Sequence, residues 1–328
     1  MTNILVTGAT GFIGSHLVDY LSQNSDNNIY GISRSIKQES TFNALNLLGK
    51  KNINIIFGNI IDLDNTEEIL NNYNIEQVYH LAAQPIVKKA SITPIATYKT
   101  NIMGTLNVLE AIRSISAKKN KEISTVVMST DKAYGNSEIL PYKEEFPLNG
   151  LDIYSSSKVC EDVIARSYSF NYNMNITVAR PSNTYGIDFH FSRLIPSLAK
   201  SCFIEKDKPL ILNSGSYNYI REYNYVVDIV RALVALMDNI HKTKGNAYNI
   251  SSNYKYTTKE VVEKFFEISE IKKNIQFKEK ESTFKEIEDQ YLDTTKLKDA
   301  THWEPEYNLE DGLRETIEKY QEWFDKVV

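Results

Sequence analysis

Through its first half the chain alternates short β-branched runs with amphipathic stretches, the pattern of βαβ units that build a parallel sheet. The runs fall at residues 3–7, 28–32, 53–57, 77–81, 123–129 and 175–179. Helical periodicity occupies 12–23, 65–73, 94–116 and 153–172 between them. In the third helix Pro94 suits a first turn, and Ile102, Leu106, Leu109 and Ile112 recur at helical spacing. Six strands with crossover helices predict a doubly wound α/β Rossmann sheet. After Arg180 the pattern loosens, until residues 309–327 set Leu309, Leu313, Ile317, Tyr320 and Phe324 on one helical face. The expected division is a Rossmann domain over residues 1–180 and a smaller mixed α/β lobe over 181–328, with some later segments returning to the first.

Composition narrows the class. At 328 residues, 42% hydrophobic and 24% charged, the chain is neither disordered nor fibrous. A net charge of −5 argues against coating nucleic acid. It leaves room for a diphosphate pocket, which needs only one or two Arg side chains and some backbone N–H groups. Cys160 and Cys202 show no metal-binding spacing, so neither a disulfide framework nor a metal is expected. The chain runs directly into Ile4-Leu5-Val6, and no apolar run approaches the roughly 20 residues of a membrane span. A cytoplasmic protein off the membrane is expected.

After the first strand comes Gly8-Ala9-Thr10-Gly11-Phe12-Ile13-Gly14. Gly8 permits a tight turn, Gly11 lets backbone N–H groups approach a pyrophosphate, and Gly14 allows close packing of helix on strand. The context between strand and helix makes this a dinucleotide-binding signature. At the end of the second strand, where NAD-binding proteins often carry an acid, stand Ser33 and Arg34. A guanidinium beside hydroxyls suits a 2′-phosphate, so the pair favours NADP slightly and leaves NAD open.

Tyr154 and Lys158 lie one turn apart on a helix face. A lysine there lowers the phenol's pKa and can hold the nicotinamide ribose, and the phenol can accept a proton from a substrate alcohol as hydride leaves. The Thr130 hydroxyl is expected at the same carboxyl edge of the sheet.

These residues, with His80-Leu81-Ala82-Ala83-Gln84-Pro85, Thr100-Asn101-Ile102-Met103-Gly104-Thr105, Arg180-Pro181-Ser182-Asn183-Thr184-Tyr185-Gly186, Arg221-Glu222-Tyr223-Asn224-Tyr225-Val226 and Trp303-Glu304-Pro305, make nearly the whole chain resemble the extended short-chain dehydrogenase/reductase family. The resemblance implies cofactor contacts from the glycine turn, Arg34, Asn59, Ile60, Leu81, Ala82, Ala83, Tyr154 and Lys158. Asn59 stands where many relatives carry Asp, and Glu222 where Asp follows the arginine. Asn183, Arg193 and Arg221 correspond to positions near the nucleotide of a nucleotide-diphosphate sugar, and Gln84 is expected to meet a sugar hydroxyl. His80 is expected to be structural. Relatives usually dimerise through the helix that carries Tyr154, so a homodimer or dimer of dimers is implied.

The reaction turns on Thr130-Asp131-Lys132. In the family's 4-epimerases the two positions after the hydroxyl are usually small, whereas in its 4,6-dehydratases they supply the acid and base that eliminate water. An Asp-Lys pair resembles CDP-glucose 4,6-dehydratases and inverting UDP-N-acetylglucosamine 4,6-dehydratases, and the run HLAAQP with Met103 resembles the former. Thr130, Asp131, Lys132, Tyr154 and Lys158 are therefore the expected catalytic set. Lys132 would take the C5 proton and Asp131 would protonate the departing C6 oxygen. For Lys132 that role demands burial or a neighbouring cation. An epimerase or reductase, or a non-catalytic dinucleotide-binding protein, are the competing readings.

Overall fold

A computed structural model describes residues 1–215, 217–278 and 289–327. Its centre is a seven-stranded parallel sheet of β1 (Thr2–Thr7), β2 (Asn27–Ser33), β3 (Ile53–Phe57), β4 (Gln77–His80), β5 (Ser124–Met128), β6 (Ile176–Pro181) and β7 (Ala247–Ile250). The order is β7-β6-β5-β4-β1-β2-β3, so the chain reverses direction between β1 and β4. In an open α/β sheet the crevice at that reversal, outside the strands' carboxyl ends, is where ligands bind.

The doubly wound sheet is as expected, with one strand more than the periodicity indicates. Ala247–Ile250 is four residues long and wholly buried, so it shows neither alternation nor length by which a strand is read. Its register on β6 pairs Asn249 with Arg180, which brings a segment of the second half into the sheet. The helix Val226–Asp238 also packs on the sheet's helix Phe12–Ser22, and both contribute to one apolar core.

The expected helix at 94–116 is an α-turn, Pro94–Tyr98, then a π-helical turn, Lys99–Met103, then Gly104–Lys119. Leu109 and Ile112 of the expected stripe are fully buried, but the residues at the π-turn depart from it. Asn101 and Thr105 are fully buried, while Ile102 and Leu106 are half-buried. π-turns of this kind recur at functional sites, and here the turn aims Asn101 at the sheet's carboxyl edge. Helix Ile153–Tyr172 has the expected bounds because Asp152 caps it, accepting from the Tyr154 and Ser155 backbone N–H groups at 3.0 Å each.

A second apolar core lies beyond the sheet. Leu309, Leu313, Ile317, Tyr320 and Phe324 are all buried, as the spacing on Leu309–Val327 predicts. They pack with Tyr185, Ile195, Leu198, Phe265 and Phe12. Because Phe12 opens the first Rossmann helix, the two cores meet at the glycine turn. No helix among the described residues is long and apolar enough to cross a membrane.

Candidate active site

The glycine turn is built as its spacing requires. Gly8 adopts a φ of +73°, and a Cβ on it would lie 2.9 Å from the Ala82 backbone. On Gly14 a Cβ would lie 2.1 Å from the Gly8 carbonyl oxygen, inside any tolerable contact. Gly14→Ala is expected to cost about 1–3 kcal/mol through overpacking and to displace the turn. The measurement is a paired melting and NAD-binding titration, and an unchanged affinity would separate the packing role from the binding role.

Helix Phe12–Ser22 starts with no side-chain cap and no acid in its first turn. The N–H groups of Phe12, Ile13 and Gly14 therefore lack intrahelical partners and present a positive helix end to an anion. Leu81 and Ala82 lie against this turn, their N–H groups donating to Thr7 Oγ1 at 3.2 Å each, and Ala83 follows them in the loop. Thr10 Oγ1 and Ser33 Oγ are 2.6 Å apart, and Ser33 Oγ donates to the Ser35 carbonyl at 2.9 Å. Arg34 and Asn59 are exposed on the same rim, and Ile60 is buried beside Gly104.

Helix Ile153–Tyr172 brings Tyr154 and Lys158 to the carboxyl end of β5. The phenol is buried, and burial, followed by the charge of Glu161, pushes its pKa up; Arg193 and a hydrogen bond with Thr130 pull the other way. Lys158 Nζ donates to the Met128 carbonyl at 2.8 Å and to Glu161 Oε2 at 2.7 Å. Behind it His80 is fully buried, with Nδ1 2.8 Å from Thr7 Oγ1 and Nε2 2.9 Å from Thr105 Oγ1. Burial, and then the Lys158 charge, lower its pKa to about 3, so the ring is neutral and structural.

The strand's end continues into a 3₁₀ turn, Asp131–Tyr134. Thr130 Oγ1 donates to Asp131 Oδ1 at 3.0 Å, while Asp131 Oδ2 is buried and has no hydrogen-bond partner. Lys132 Nζ stands 3.9 Å from Asp131 Oδ1 and donates to Asn183 Oδ1 at 3.4 Å. Its side chain is 31% exposed, and its ion-pair partner is a carboxylate. The structure thus gives Lys132 neither of the surroundings that its expected role as a base demands.

Arg193 ends up near both Phe12 and Tyr154: its guanidinium lies 5.7 Å from the Phe12 ring centre, and Nη1 donates to Asp188 Oδ2 at 2.9 Å. Arg221 stands on a strand paired with Lys255–Thr257 and donates to the Ile220 carbonyl at 2.8 Å. Its charge reaches Tyr142, whose phenol is pushed up to about 12 by burial and by Asp131. Gln84 is turned inward. Its amide donates to the Ile86 carbonyl at 3.0 Å and accepts from the Ile86 N–H at 2.9 Å, so it shapes the loop.

Three groups at the site escaped the sequence reading as functional. Asn101 Oδ1 accepts from the Gln84 N–H at 2.7 Å and its amide donates to Ser157 Oγ at 2.9 Å, tying the π-turn to the Tyr154 helix. Glu161 pairs with Lys158 across one helical turn, a spacing that the sequence does show. Glu222 is buried, and burial pushes its pKa up to about 7.

The chain is similar to known proteins along nearly its whole length. A family described as GDP-mannose 4,6-dehydratase matches residues 5–316. The dTDP-glucose 4,6-dehydratase of Haemophilus influenzae is 29% identical over 98% of both chains. Among solved structures, Bacillus anthracis dTDP-glucose 4,6-dehydratase in complex with NAD superposes with a TM-score of 0.85 at 29% identity, covering 100% of each chain. Bacillus cereus UDP-glucuronic acid 4-epimerase, in complex with UDP-glucuronic acid and NAD, gives 0.87 at 26% identity over 98% of this chain and 100% of its own. The chain belongs to the GDP-mannose 4,6-dehydratase family, a nucleotide-sugar enzyme branch of the extended short-chain dehydrogenases/reductases.

Proposed function

We propose that this protein is a nucleotide-sugar 4,6-dehydratase converting an NDP-hexose to its 4-keto-6-deoxy product with a bound nicotinamide dinucleotide. One observation carries the reading: next to the Thr130, Tyr154 and Lys158 set sits a buried carboxyl, Asp131, with Oδ2 unpartnered and a lysine beside it. Oxidation at C4 needs only the first three. Elimination across C5 and C6 needs an additional acid and base.

The uncapped helix end and the glycine turn fit a dinucleotide pyrophosphate, with Lys158 placed for the nicotinamide ribose. Held there, a nicotinamide would supply the hydride acceptor for C4 and the hydride donor for C6. Tyr154, helped by Thr130, accepts the C4 hydroxyl proton. The ketone acidifies C5–H, Lys132 in its neutral form removes that proton, and Asp131 in its acid form protonates the C6 oxygen as water leaves. The sugar lying over Lys132 supplies the burial that the free enzyme lacks. Asn183 orients the amine, and Arg193 and Arg221 meet the diphosphate.

CDP-glucose is the first substrate to try, on the Asp-Lys pair. Incubation with CDP-, dTDP-, GDP- and UDP-hexoses should yield, for one of them, the base-induced ultraviolet absorbance of a 4-keto-6-deoxy sugar with solvent deuterium at C5. A C4 epimer without deuterium would favour the epimerase reading, which the likeness to the Bacillus cereus enzyme supports.

Exposed Arg34 is taken to meet a 2′-phosphate. Arg34→Ala should then weaken NADP binding by about tenfold or more, the scale of a charge-assisted hydrogen bond, and leave NAD nearly unchanged in calorimetry. Equal losses for both would remove the case for NADP. Ile95, Met103, Val163, Phe170 and Tyr172 are exposed on the helices around Tyr154, an apolar surface consistent with a homodimer.

A further inference from the structure

Both oxygens of the Glu161 carboxylate are out of water, and its side chain is 1% exposed against 2% for Lys158. A buried carboxylate is retained only where a partner compensates it. The partner here is the Lys158 ammonium, one turn from Tyr154 on the same helix, and the Glu161 charge itself raises the phenol's pKa. That ammonium has three N–H donors. One holds the Met128 carbonyl and one holds Glu161 Oε2, so a single donor remains for the ribose. Glu161 Oε1 has no hydrogen-bond partner.

We propose that Glu161 is a positioning residue for the Tyr154–Lys158 pair: it fixes the lysine's rotamer, and its charge sets how much of the lysine's positive charge reaches the phenol. The proposal rests on the dehydrogenase-type role of Tyr154 given above. With Glu161 ionised, Lys158 is compensated and the phenol stays protonated. With Glu161 neutral, the ammonium stands uncompensated and stabilises the phenolate.

The surroundings leave Glu161 the adjustable member. His80 from β4 faces Lys158 and is neutral. Asp162, next along the helix, is already held by Arg180 of β6 and by Arg166. On the far side of the phenol, Asp131 and Arg193 act in opposite directions. Burial pushes Glu161 up to about 7 against the pull of Lys158, so its charge changes around neutrality. Around neutrality rising pH thus ionises Glu161 and makes the phenol harder to deprotonate, which flattens the pH dependence of the oxidation step.

The test is NMR of protein labelled with ¹³Cζ-tyrosine and saturated with NAD, the Tyr154 resonance being assigned by its loss in Tyr154→Phe. Glu161→Gln keeps the shape and removes the charge. Its Tyr154 should titrate about one to three pH units lower than wild type, the shift expected for uncovering one charge at this range. At a common pH below both midpoints that is tenfold or more phenolate. Coincident titrations would overturn the proposal. If Glu161→Gln does not fold, Glu161→Asp retracts the carboxylate by one methylene and should lower the midpoint less, with the same sign; an unchanged or raised midpoint overturns it equally. The readout needs no sugar, so a protein that oxidises no nucleotide sugar would defeat the dehydratase reading while leaving this result standing.

Discussion

Lys132→Met and Asp131→Asn should each reduce the bound cofactor on mixing with substrate yet release 4-keto-6-deoxy product about 10² to 10⁴ times more slowly than wild type, the usual contribution of a general acid or base. Oxidation depends on Tyr154, Thr130 and Lys158, which these substitutions leave in place. Stopped-flow absorbance near the reduced-nicotinamide band follows the first step, and quenched product assay follows the second. Tyr154→Phe should fail at the first. Normal turnover by Lys132→Met would place the base elsewhere. That outcome has a physical opening, because Lys132 is 31% exposed beside a carboxylate before substrate arrives. Product formation untouched in both variants would give the site to an epimerase or reductase.

Arg180→Met should destabilise the fold by about 3–5 kcal/mol, the penalty for stranding a buried charge. Arg180 is 1% exposed and grips Asp162 bidentately, Nε to Oδ2 at 2.8 Å and Nη2 to Oδ1 at 3.0 Å. It also donates to the Tyr134 hydroxyl at 2.7 Å, which in turn donates to Asn249 of β7 at 2.7 Å. The pair thus joins the Tyr154 helix, the Asp131–Tyr134 turn and the sheet edge behind the site. Arg166 Nε, also 2.8 Å from Asp162, remains as a partial partner and holds the loss toward the lower end. Urea denaturation should show a lower midpoint at an unchanged m-value. The double variant Arg180→Met with Asp162→Leu should recover much of the loss, because it removes the stranded carboxylate. A double variant as unstable as the single one would show that the lost bridge, not the orphaned charge, was what mattered.

Local chemistry carried a large part of the reading. The glycine turn, the Tyr154 helix and the apolar face of Leu309–Val327 all follow from spacing along the chain, and the structure keeps them. Where three-dimensional neighbours decide, spacing misleads. The 94–116 periodicity predicts Ile102, Leu106, Leu109 and Ile112 facing in; the last two are fully buried, but next to the π-turn Asn101 and Thr105 take the inward positions. Gln84 sits in a loop open to a sugar by sequence, yet the turn geometry engages its amide with Ile86.

By itself the sequence determined the parallel sheet, the dinucleotide turn and the helix that carries phenol and lysine, because those depend on backbone periods of two and 3.6 and on the conformational freedom of glycine. Only the tertiary structure decided what surrounds those groups. Whether Asp131 is buried and unpartnered, whether Lys132 is shielded, and that Glu161 compensates Lys158 are matters of distance and desolvation between segments remote in the chain. A seventh strand from residues 247–250, wholly buried and too short to show a period, closes the sheet edge behind them. Charge in a protein interior is set by its nearest few ångströms, and the linear sequence does not record that distance.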